Sequence, residues 1–229
     1  EMHLSSMLTE IREHSILIQC GGEIKEIEAD AVVMAIGVSP ETTLAREAGL
    51  AIGETGGILV NKNFQTSDPD IYAVGDAAES FNRLLGRPGR LALAGPAQRQ
   101  ARGAADHIYG SSGANRGFIG SSCIRIFGLN AACTGLNEKN AKSAGISCDI
   151  AYVLAADKVG LMPGSSYMNF KLVFEVPTGR ILGAQAIGKG NTDKRIDVIA
   201  AMITMGGTLA DLKDLELCYS PVFGTARDV

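Results

Sequence analysis

An α/β first half followed by an α+β second half, with an antiparallel sheet and packed helices, is the fold class that this 229-residue sequence predicts. Three observations predict it. Residues 30–37 (DAVVMAIG) form a short β-branched run closed by glycine, with Pro40 just beyond, the pattern of a buried parallel-type strand. Residues 111–117 (SSGANRG) are small and polar and read as a linker. Beyond them strand and helix patterns mix without strict βαβ alternation, which points to an α+β unit.

The elements follow in order. Residues 15–20 and 23–28 flank Gly21-Gly22 and predict a β-hairpin. The strand at 30–37 comes next, then a short helix over 41–49 with Gly49 as its C-cap. A second hairpin runs from Ile52 through 53–57 to 58–61. Residues 66–77 (TSDPDIYAVGDA) are a turn leading into a strand that stops at a Gly-Asp corner, and 81–91 is a loop. Residues 96–109 are helical, with Pro96 at the first helical position and Gly110 as the stop. In the second half strands are predicted at 122–127, 147–154, 168–175 and 181–187, and helices at 137–144, 193–205 and 208–216. Pro177 and Gly179 mark a hairpin turn, and Thr208 with Asp211 forms a capping box.

Composition excludes several classes. Lys and Arg total 21 against 25 Asp and Glu, a formal charge of −4, so no basic face for nucleic acid is expected. No apolar stretch approaches the ~20 residues of a membrane-spanning helix, and the opening EMHLSSMLTEIREH is no signal peptide. The five cysteines are odd in number, widely spaced and never in a CxxC pair, which argues against a disulfide framework and against a zinc or other metal site. A reducing cytoplasm fits them. Glycine reaches 28 residues, the mark of tight turns and close backbone approach.

The Gly75-Asp76-Ala77 corner carries the strongest chemical signal. A strand delivers a carboxylate at its carboxyl end, and Gly75 lets a ligand approach the backbone. Asp76 can accept hydrogen bonds from sugar-like hydroxyls. Taken alone, the pair favours a strand-to-turn corner in which Asp76 caps the next segment.

Its surroundings add a family resemblance. AIGVSPET (35–42), GGILVNKNFQTSDPDIYAVGDAAE (56–79) and LAGPAQRQAR (93–102) resemble the flavin-dependent pyridine nucleotide-disulfide oxidoreductases, in the branch of CoA-disulfide reductases, NADH oxidases and persulfide reductases. TGLNEKNAKSAGI, GRILGAQAIG, DKRIDVIAAMI and CYSPVFGTARD resemble that branch's dimerisation domain. The resemblance implies three parts: closing strands of an NAD(P)-binding domain over 1–36, the C-terminal part of an FAD-binding domain over 37–112, and a dimerisation domain over 117–229 that makes a homodimer. It implies FAD bound by Gly75, Asp76 and Ala77, with Asp76 on the ribityl hydroxyls. Ala94, Gly95, Pro96, Ala97 and Gln98 would place a helix start near the pyrimidine edge of the isoalloxazine, where reduced flavin carries negative charge. Gln98 read by itself is a solvent-facing helical residue. Tyr219 is implied as a catalytic and substrate-binding group reaching the partner's site, and Arg227 as a contact to CoA phosphates. Read without the resemblance, Tyr219 packs beside Pro221 and Arg227 is solvated.

Three departures qualify this. Residues 161–164 read LMPG where the branch carries Tyr-Tyr-Pro-Gly, which opens the thiol substrate to classes other than CoA. No His-x-x-x-x-Glu pair lies near the C-terminus. No G-x-G-x-x-G and no early redox cysteine are present, so the chain is expected to be an inactive C-terminal part of a longer enzyme. That enzyme would pass electrons from NAD(P)H through FAD to a cysteine and on to CoA disulfide, a related disulfide or persulfide, or oxygen. A non-catalytic dimerisation module is the alternative. His107 is expected at the surface or capping its helix, Cys218 as a small packed residue, and Asp193, Lys194, Arg195 and Asp197 as a solvated or intersubunit charge cluster.

Overall fold

The structure, a computed structural model, describes residues 1–111 and 115–226, in two compact units, Glu1–Ser39 and Pro40–Val229. The first is an antiparallel meander of β1 (Ser6–Ile11), β2 (Ser15–Cys20) and β3 (Glu23–Glu28). Gly21 and Gly22 take φ of +58° and +96°, so the β2–β3 turn uses the left-handed conformations that glycine adopts without steric cost. β1 was not expected from the sequence. The strand expected at 30–37 does not form: Val33 and Ile36 are almost fully exposed, with no strand beside them. A buried parallel strand needs hydrogen-bonded neighbours and covered faces, and among the described residues no strand pairs with the run.

The second unit begins with α1 (Thr43–Glu47) and an irregular segment. The expected hairpin at 52–61 is reduced to one isolated bridge, Ile52 to Ile58. Ile58 then bridges Ala78 in parallel, and this pairing holds the backbone that leads out of a 3₁₀ turn at Gly75–Ala77. The loop expected at 81–91 contains a small ribbon, β4 (Ser80–Asn82) against β5 (Arg87–Gly89). The helix α2 runs Ala94–Ile108. Pro96 is therefore its third residue rather than its first, still within the first turn, where backbone N–H groups have no intrahelical acceptor. Residues 112–114 of the expected linker lie outside the described residues.

A five-stranded antiparallel sheet follows, in the order β6 (Ser121–Ile126), β7 (Leu129–Gly135), β10 (Ile181–Gly188), β9 (Tyr167–Glu175), β8 (Cys148–Ala156). Of these, β7 was not expected: LNAACTG is small and weakly β-forming, yet it is an interior strand. Small side chains suit it because α4 (Thr192–Met205) packs on that face, with Ile196, Ile199 and Ile203 against Ala132, Met168, Phe170, Ala184 and Ala186. Burying these residues supplies most of the apolar core, at ~1.5–3 kcal/mol per large side chain. The short α3 (Glu138–Ser143) covers one end of the opposite face through Ala141, Leu136 and Val173. The rest of that face is open and apolar, with Ile124, Ile126, Leu129, Tyr152, Leu154 and Ile187 exposed. The helix expected at 208–216 is a short α5 (Leu209–Lys213), opened by the expected capping box of Thr208 and Asp211.

Candidate functional site

The expected flavin-binding residues come together. The turn at Gly75–Ala77 packs against the first turns of α2. Gly75 has φ of +75°, and a Cβ built there would sit 3.6 Å from Ala97 Cβ. A side chain at position 75 would thus be strained by the backbone conformation, although the space beside Ala97 admits a Cβ. Asp76 is exposed, and no side-chain hydrogen bond or ion pair occupies its carboxylate among the described residues. The capping reading of Asp76 therefore has no bond behind it. The N-cap of α2, Leu93, makes no side-chain cap. The N–H groups of Ala94 and Gly95 thus point out of an uncapped helix start, where the macrodipole favours negative charge.

Gln98 is exposed on α2, whereas Gln100 is buried and bonded to the turn. Gln100 is 9% exposed, and its Oε1 accepts a hydrogen bond from the Gly75 N–H at 2.6 Å. Sequence reasoning missed it. The signal was its place between Ala97 and Ala104, three residues after one and four before the other: a polar group in an apolar stripe needs a partner. The turn is fixed from its other side as well. Ile58 N donates to Ala77 O at 2.7 Å and Glu79 N to Ile58 O at 2.8 Å. Glu79 is buried, and its carboxylate accepts from Thr55 N at 2.8 Å and from the Thr55 hydroxyl.

Tyr219 stands apart from this corner, 54% exposed, in a segment with exposed Val222 and Phe223. The segment closes on itself through Phe223 N to Ser220 O at 2.9 Å. It rests on the β8–β9 loop through Val159 N to Pro221 O at 3.2 Å. The LMPG sequence at 161–164 is the tip of that loop, with Leu161 89% exposed. At the loop's neck, buried Asp157 accepts from Ser166 N at 2.9 Å, and Arg195 Nη2 donates to Asp157 O at 2.9 Å. Arg195 was expected in a solvated or intersubunit cluster. It is buried, because it lies on the sheet-facing side of α4 beside Ile196 and Ile199. Lys194 and Asp197 remain exposed, 4.0 Å apart. Arg227 lies outside the described residues. Cys218 is exposed rather than packed. His107 Nδ1 is 2.8 Å from the Tyr72 hydroxyl, a side-chain contact rather than a helix cap.

Among the described residues no group of His, Cys, Asp and Glu could hold a metal ion, and no helix is long and apolar enough to cross a membrane. The geometry matches known proteins along nearly its whole length. A family model for pyridine nucleotide-disulphide oxidoreductases matches residues 1–101, and one for that family's dimerisation domain matches residues 122–228. The chain belongs to the pyridine nucleotide-disulphide oxidoreductases. It is 35% identical to an NAD(P)H sulfur oxidoreductase (CoA-dependent) of Pyrococcus furiosus, over 99% of this chain and 51% of that protein. The NAD-dependent persulfide reductase of A. fulgidus superposes with a TM-score of 0.92 at 35% identity, over 98% of this chain and 42% of the other. Reduced CoADR-RHD of Bacillus anthracis gives 0.87 at 42% identity, over 94% and 38%. The chain thus spans about half the length of the curated relatives it matches. The family uses FAD and NAD(P)H.

The residues present fit a flavin. An exposed carboxylate, a glycine with no side chain and an uncapped helix start adjoin one another. Together they offer an acceptor for hydroxyls and donors for an electron-rich ring edge.

Proposed function

We propose that this chain is the flavin-cradling and dimer-forming part of a cytoplasmic NAD(P)H-dependent disulfide or persulfide reductase. In the overall reaction NAD(P)H, a proton and a disulfide RS–SR give NAD(P)⁺ and two thiols RSH. When bound, FAD supplies the relay for the electron pair between nicotinamide and sulfur. Asp76 accepts hydrogen bonds from the ribityl hydroxyls. Gly75 and Ala77 keep the backbone open beside them. The start of α2 at Ala94, Gly95, Pro96 and Ala97 lies toward negative charge, with the N–H groups of Ala94 and Gly95 as the free donors. Tyr219 holds the leaving thiol of a small substrate such as CoA disulfide, at the site of the partner in a homodimer, and its phenol is the proton donor. Arg227 carries the substrate's phosphates.

The observation that carries this reading is the Gly75–Ala77 turn seated on the first turns of α2 with Asp76 exposed. The diphosphate of FAD calls for a further helix N-terminus, so the 229 residues alone bind flavin weakly and do not turn over. An absorbance spectrum of the purified chain tests this: stoichiometric bound flavin would overturn the half-site reading. In the longer enzyme carrying this chain, Asp76→Ala weakens flavin binding, and an unchanged affinity would remove Asp76 from the site. Comparing NAD(P)H consumption with CoA disulfide, with polysulfide and with oxygen alone separates the acceptors; equal rates under air alone count against the reductase. A second reading, a non-catalytic assembly module, is favoured by the open apolar face of the five-stranded sheet. Full retention of bound flavin and turnover in the longer enzyme excludes it.

A further inference from the structure

We propose that Gln100 is the positioning residue of the flavin corner: its side-chain oxygen holds the Gly75–Ala77 turn at the angle that presents Asp76. The inference rests on the flavin reading above and deepens it. Gly75 N is the first N–H of the 3₁₀ turn, and such a donor has no acceptor within its own turn. Gln100 Oε1 takes it at 2.6 Å, from a side chain 9% exposed. A backbone N–H requires an acceptor, so this bond also fixes which end of the Gln100 amide faces the turn. Ala97 lies one helical turn earlier on the same face, where a side chain built at position 75 would be in ordinary contact range. The hydrogen bond therefore sets the rotation of the turn. Asp76 follows Gly75 directly and makes no side-chain bond of its own among the described residues, so its direction depends on the Gly75 backbone. Leaving the Gly75 N–H half-buried and unpaired would favour rotation of the turn toward water.

The test uses Gln100→Leu, which removes the acceptor, Gln100→Glu, which retains one, and Asp106→Ala as an exposed reference on the same helix. The first measurement is amide exchange at Gly75 in the 229-residue chain. The second is flavin affinity of the longer enzyme, by fluorescence of released FAD. Gln100→Leu is expected to speed Gly75 exchange and weaken flavin binding, each about tenfold, the scale of one lost hydrogen bond. Gln100→Glu restores both toward the parent, and Asp106→Ala moves neither. Unchanged Gly75 exchange in Gln100→Leu overturns the proposal, as does a Gln100→Glu protein that folds and behaves like Gln100→Leu. Faster exchange with unchanged flavin affinity leaves Gln100 fastening the turn but removes the turn from flavin binding, so the functional reading fails instead. A Gln100→Leu protein that does not fold leaves the decision to Gln100→Glu, where retained exchange protection and affinity support the proposal and loss of both overturns it.

Discussion

The Gly75 corner and the Tyr219 segment are both candidate parts of one catalytic assembly, but they are built differently. The corner is fastened from both sides, by Gln100 on α2 and by the backbone of Ile58. The Tyr219 segment closes on itself and meets the rest of the fold by a longer backbone bond, Val159 N to Pro221 O at 3.2 Å, with its apolar side chains in water. The difference teaches where preorganisation resides. On the function proposed above, the group that binds a resident cofactor is set by its own chain, whereas the group that serves a neighbouring subunit gains its surroundings on assembly.

Four substitutions would break or sharpen this contrast. Tyr219→Phe removes only a hydroxyl from an exposed ring. Turnover of the longer enzyme is expected to fall by about 10²-fold or more, the scale of a lost proton donor. Thermal stability should stay within about 0.5 kcal/mol. A stability loss with unchanged turnover would make Tyr219 a packing residue. Arg195→Leu, measured by urea unfolding, removes the charged donor to Asp157 O. It should cost ~1.5–3 kcal/mol, with a raised KM for the disulfide because the loop under Pro221 loosens. Gly75→Val forces a β-branched residue to φ of +75° against Ala97. It should cost ~1–3 kcal/mol and lower flavin affinity while leaving disulfide KM alone.

The smallest effect is a pH effect remote from both regions. Lys142 and Lys171, each 2.6 Å from the Glu138 carboxylate, hold its pKa down at about 2 through hydrogen bonds and charge. A depressed folded-state value stabilises the fold above the unfolded carboxylate's ordinary value of ~4.3. That contribution is lost as pH falls from there through about 2. Glu138→Gln should therefore lower stability modestly at neutral pH and flatten the acid limb of a stability–pH profile between those values, the two proteins converging toward the lower one. An identical acid limb in the variant would show that the two ion pairs contribute nothing.

Much of this architecture can be read from local chemistry. Gly21-Gly22 and the Thr208–Asp211 box name their own geometry, because a turn or a cap is decided within a few residues. The helix after the Gly75–Asp76 corner is equally local, whereas the strand expected to lead into that corner is reduced to an isolated bridge, Gln65 to Tyr72. Residues 30–37 and β7 mislead in opposite directions, and for one reason. The first run has strand-forming side chains and no partner among the described residues, while LNAACTG has poor ones and partners on both edges. Pairing over long sequence separations overrides propensity in both. Gln98 and Gln100 show the same limit within a helix: two residues of one type, two positions apart, lie on different faces, and only the contact with Gly75 tells them apart.

The bare side of the five-stranded sheet has a practical consequence. Ile124, Ile126, Leu154 and Ile187 face water there, and the Lys171 ammonium on the same face is engaged by Glu138, so the free chain should become adhesive as it is concentrated, and its light scattering should rise with ionic strength rather than fall.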